Sequence, residues 1–131
     1  MKPLPTTVFL ALLVTSVSCR KDKIIIPEEA PKSAYAGTYD CTVHHHYSDL
    51  TGVSSDTTEQ KNLTLPFVDD SVQIFGARLH EDDIVFGETY FFGYSYHHMN
   101  VRFEQDSIFI YTFNGGLGGG NSVRFKGRKL D

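Results

Sequence analysis

Three consecutive histidines, His44 to His46, are the densest run of metal-capable side chains in the sequence. On a β-strand, His44 and His46 share a face about 6.5–7 Å apart along the chain, and His45 points away. Two imidazoles can share a zinc ion, but a zinc site takes three or four ligands. His97 and His98 are adjacent, so only one of them could join from a second strand. His80 stands near Glu81 and Asp83 in a turn-like segment. None of these spacings is a recognised ligand pattern. The expectation is polar, partly exposed strand histidines with no metal or other cofactor, His44 and His46 being the metal candidates if one binds.

Catalytic patterns fare less well. The run Gly93-Tyr94-Ser95-Tyr96-His97 approaches the Gly-x-Ser-x-Gly nucleophile elbow. It puts His97 where the second glycine belongs, and alternating strand residues surround it instead of a strand–turn–helix. Asp69-Asp70 and Glu81-Asp82-Asp83 supply carboxylates in turn settings, with no apolar pocket to make one a general acid. The glycine-rich run "NGGLGGGN", Asn114 to Asn121, lacks the Lys-Ser/Thr end of a phosphate loop and precedes a strand. It is read as a wide hairpin turn with several positive-φ positions, the alternative being a rim over a cavity. No catalytic residue is assigned, and the chain is read as a non-enzyme.

The aromatic stripe Tyr90, Phe92, Tyr94 and Tyr96 is the candidate ligand surface. At period two, these four either fill a core or wall a pocket for a lipid-like or glycan ligand.

The remaining chemistry lies at the start. A single Lys2, the apolar run Val8 to Val14 and small residues up to Ser18-Cys19 have the layout of an export signal. The apolar run is far shorter than the ~20 residues that span a bilayer. Ser16-Val17-Ser18-Cys19 resembles the lipobox of bacterial lipoproteins, departing at Ser16, where Leu is usual; an ordinary secretory cut is the alternative. The resemblance implies that residues 1–18 are removed and that Cys19 carries a thioether-linked diacylglycerol and a palmitate-type chain. Each buried methylene contributes ~0.8 kcal/mol, and two chains give stable anchoring where one does not. Residues 19–34 are then the lipidated cysteine and a tether carrying Pro27, Pro31 and dense charge. Residues 35–131 are the folded domain.

That domain carries 7 Lys/Arg against 13 Asp/Glu, a poor balance for nucleic acid. The basic run Arg124, Lys126, Arg128 and Lys129 is an exception, and three of the four alternate as one solvated strand face. Cys41, between Tyr39 and Val43 in the alternation, is expected to be a small buried side chain.

Period two dominates the domain: "GTYDCTVHHHY", "EQKNLTLPF", "SVQIF", "ETYFFGYSYHH", "NVRFE", "SIFIYTF" and "SVRFKGRKL". These seven segments predict an all-β antiparallel meander, closed as an up-and-down calycin-like barrel or a strongly curled sheet, with a β-sandwich as the alternative. A short turn is expected around Glu81 to Asp83. Asp70-Ser71 and Asp106-Ser107 echo each other as turn closures that open strands. Together, the Gly-x-Tyr first strand at Gly37, the paired Asp-Ser strand starts and the late glycine-rich turn resemble a group of small Bacteroidota lipoproteins across most of Gly37 to Lys129. That resemblance implies a β fold and an envelope location, and no activity. The expectation is an envelope protein, lipid-held at the outer membrane, that binds a small apolar or glycan ligand or an envelope protein without catalysis. A structural subunit of an envelope complex, and then a metal-dependent enzyme, are the alternatives.

Overall fold

The computed structural model describes residues 33–130; Cys19, the leader and most of the tether lie outside them. Strand β1 (Gly37–Asp49) buries Tyr39, Cys41 and Val43 and exposes Asp40 and Thr42, as its alternation predicts. β2 (Ser54–Leu65) flanks it on one side and β9 (Gly119–Lys129) on the other. β8 (Ser107–Gly116), β7 (His97–Glu104) and β6 (Thr89–Tyr94) follow, giving an antiparallel sheet in the order β2-β1-β9-β8-β7-β6. The first and last long strands therefore lie side by side at the centre.

A second, three-stranded antiparallel sheet contains β3 (Phe67–Val68), β4 (Ser71–Ile74) and β5 (Ala77–His80). Asp69-Asp70 (φ 50° and 57°) and Phe75-Gly76 (φ 46° and 86°) connect its strands through left-handed pairs. Such pairs match the twist of tight two-residue hairpins. Val72, Ile74 and Leu79 from this sheet join Tyr39, Cys41, Val43, Val101, Phe103, Ile108 and Ile110 from the large one in a single buried cluster. Each sheet turns an apolar face toward that cluster.

The all-β antiparallel architecture is thus present, but the barrel is not. Neither sheet closes: β2 and β6 remain edges of the large sheet. The physical reason begins at Pro66, which has no N–H to donate and ends β2 where the sequence reading ran through to Phe67. Its carbonyl accepts instead from Gln73 N at 2.9 Å. The chain then makes strands of two to four residues. These are too short to carry the long sheet round on itself, and they fold over its apolar face.

Two further expectations need correction. The segment "ETYFFGYSYHH" is not one strand; it turns at Ser95-Tyr96 and pairs with itself, Tyr94 opposite His97. The glycine-rich run is not a wide turn. The ladder continues through Gly115↔Gly120 and Gly116↔Gly119, leaving Leu117-Gly118 as the tip, and only Gly119 has positive φ. Side chains would collide there: a Cβ on Gly115 would come within 2.8 Å of the Gly120 Cα and the Phe113 ring. The glycines allow close strand approach, with Phe113 lying over them.

The Asp-Ser echo does mark two strand starts, β4 at Ser71 and β8 at Ser107. They belong to different sheets. The expected turn is a 3-10 turn, Glu81–Asp83.

One end of the core is plugged by tyrosines. Tyr39 is 2 % exposed and its hydroxyl donates to the Tyr35 carbonyl at 2.6 Å. Tyr35 in turn donates to Ile84 O and packs its ring on Phe86 and Phe103. Cys41 is a free, buried thiol. It lies opposite Gly127 of β9, where a Cβ would collide with its sulfur.

Candidate functional site

The four aromatic residues singled out in the sequence do not share one environment. Tyr90 and Phe92 pack against the core, whereas Tyr94 and Tyr96 are 66 % and 48 % exposed. Gly93 (φ 99°) and the turn at Ser95-Tyr96 end the alternation that aligned them. The Tyr90 hydroxyl accepts from Val85 N at 2.6 Å and donates to Asp83 O at 2.9 Å, which ties down the loop after the 3-10 turn. Of the four, Phe92 lines an open recess shared with Phe75, Met99 and His97.

His44 and His46 do share a face, as the strand geometry requires, and β2 brings Asp56 between them. His46 Nδ1 lies 2.8 Å and His44 Nε2 3.5 Å from the same Asp56 carboxylate oxygen. His45 points to the other face and meets Glu59 at 2.9 Å. The three histidines are half-buried, and their carboxylate partners are exposed. Arg124 stands directly across from His44, and its charge opposes a cation there. Among the described residues, no group of three or more His, Cys, Asp or Glu is arranged to hold a metal ion.

The most developed surface is one the sequence reading passed over. Paired strands place opposite residues on the same side of the sheet. Alternating with the buried Ile108 and Ile110, β8 therefore presents Phe109, Tyr111 and Phe113 on the solvent side. Phe109 is flanked by Arg102 of β7 and Lys126 of β9; Tyr111 is flanked by Asn100 and Arg124. Arg102 lies 4.9 Å and Lys126 5.9 Å from the centre of the Phe109 ring, and Arg124 lies 5.6 Å from that of Tyr111. These are cation–π distances. Farther along, His98 packs among Phe91, Tyr111 and Phe113.

Between these side chains runs a groove of about 350 Å³ with mostly apolar walls. Asn100 lines it, and its Oδ1 is shielded from solvent with no hydrogen-bond partner among the described residues. Arg102 is partly neutralised: its Nε is 2.9 Å from Glu104, although the pair does not meet hydrogen-bond geometry. Arg128 is neutralised by Asp106 at 2.7 Å, which holds that carboxyl below the usual carboxylate range. Arg124 and Lys126 have no carboxylate partner among the described residues.

The signal that could have revealed this face was available. "SIFIYTF" alternates Ile with aromatic residues, so both sides of β8 are apolar. A strand with only one side in the core does not need the second row. The basic alternation of β9, read as one solvated face, is the neighbour of that row. No family model, curated protein or solved structure matches this chain.

Proposed function

We propose that this protein is a non-catalytic binding module of the bacterial envelope, held to the membrane through lipid on Cys19, whose solvent-facing β7–β8–β9 surface takes a saccharide. One observation carries the binding assignment: Phe109 and Tyr111 border an apolar-walled groove on the face of the sheet that the core does not use. Flat aromatic side chains beside a few polar groups are the usual lining of a small-ligand site. A sugar ring offers C–H faces to the aromatics and hydroxyls to Asn100 and the cations. The anchor rests on Ser18-Cys19 at the end of the apolar leader. Among the described residues no helix is long and apolar enough to cross a membrane.

Binding is tested by titrating oligosaccharides into the full chain in detergent and following tyrosine fluorescence or amide NMR shifts. The expected result is shifts centred on β7 to β9 that Phe109→Ala with Tyr111→Ala removes. Absence of binding by every saccharide would sink the assignment. The anchor has its own test: Cys19→Ala should abolish fatty-acid labelling and release the protein from the membrane fraction.

A further inference from the structure

We infer that the saccharide taken by the β7–β9 groove is acidic, bearing carboxylate or sulfate groups; this rests on the saccharide reading above. The domain's net negative charge conceals a segregation. Residues 69–88, from the small sheet to the start of β6, hold Asp69, Asp70, Glu81, Asp82, Asp83 and Glu88 with Arg78 as the only cation. The solvent side of β7 to β9 instead carries Arg102, Arg124, Lys126 and Arg128 against one carboxylate of those strands, Glu104.

Two of those four, Arg102 and Arg128, face carboxylates. Arg124 and Lys126 are exposed, two residues apart on β9, and border the groove without such a partner among the described residues. Successive same-face residues on a strand lie about 6.8 Å apart. The groove thus offers two unneutralised cations at fixed spacing beside a row of aromatic rings on β8. Cations brought together on one face without counter-charges repel each other, and a bound anion relieves that repulsion. The same acidic remainder of the domain disfavours a densely charged polyphosphate at long range, which selects a sparsely charged glycan over single-stranded nucleic acid.

The test titrates the full chain in detergent with hyaluronan and unsulfated chondroitin hexasaccharides, neutral cellohexaose and oligo-dT. Acidic hexasaccharides are expected to bind roughly tenfold or more tighter than cellohexaose, a difference set by charge and lost as added salt shortens the screening length from about 10 Å to about 3 Å. Arg124→Gln with Lys126→Gln should remove this preference while leaving the urea midpoint in place. Equal, salt-independent binding of neutral and acidic sugars would overturn the charge inference and leave the saccharide reading standing. Binding of no sugar would overturn both. Preference for oligo-dT, or acidic binding unaffected by the double substitution, would overturn the proposed ligand or its site.

Discussion

The two faces of β8 are built from the same kinds of residue to opposite ends. Inward, Ile108 and Ile110 are 0 % and 2 % exposed and pack with Val101 and Phe103. Outward, Phe109, Tyr111 and Phe113 stay half-exposed, beside cations instead of aliphatic neighbours. Apolar burial scales with area removed from water, so the inward face holds the fold together. The outward rings leave much of that stabilisation unused. Apolar surface left available beside unneutralised charge is what a binding face requires and a core does not.

The contrast breaks most easily from inside. Phe103→Ala should cost about 3–5 kcal/mol, read as a lower urea midpoint at unchanged slope. Phe109→Ala removes a ring of the same chemistry from the other face and should cost ~1 kcal/mol or less, the scale of its cation–π contacts. Similar losses for the two would show that the outer row is structural.

Gly127→Val is expected to cost about 1–3 kcal/mol through overpacking against Cys41 and Ile108, and Cys41→Ala should restore part of it. Tyr39→Phe should cost about 1–3 kcal/mol, because it leaves the Tyr35 carbonyl without its donor.

Alkaline titration sharpens the same comparison. Burial raises the Tyr39 phenol and the Cys41 thiol above their ordinary values of 10.0 and 9.0. Above those values the unfolded chain has released protons that the native state keeps, so stability must fall as pH rises. The urea midpoint should therefore decline from about pH 9 upward, following the thiol and then the phenol. It should decline less in Tyr39→Phe.

The smallest effect belongs to the outer rim. Arg128 holds the Asp106 carboxyl low, so its contribution is present above the unfolded carboxylate range and is lost in acid. Asp106 is fully exposed, and Asp106→Asn should leave the neutral-pH midpoint unchanged within error while slightly flattening the acid limb.

Much of this was legible in the chain. Alternation identified Tyr39, Cys41, Val43, Val72, Ile74, Val101, Phe103, Ile108 and Ile110 as inward residues, since side-chain period in a strand is strictly two. It could not separate a strand from a hairpin across Tyr94 to His97, because a two-residue turn preserves the spacing. That ambiguity produced the apparent stripe of Tyr90, Phe92, Tyr94 and Tyr96. The groove was illegible for a different reason: its walls come from β7, β8 and β9, and register across strands is not written in any one of them.

By itself, then, the sequence determined most of the strands and the inward rows of those that alternate, because these depend on neighbours along the chain. Only the tertiary structure decided that Pro66 would turn the short strands over the core instead of letting the sheet close. It also decided that Arg102, Arg124 and Lys126 would meet around Phe109 and Tyr111. Both outcomes depend on which strands pair and where, and pairing brings together residues distant in sequence.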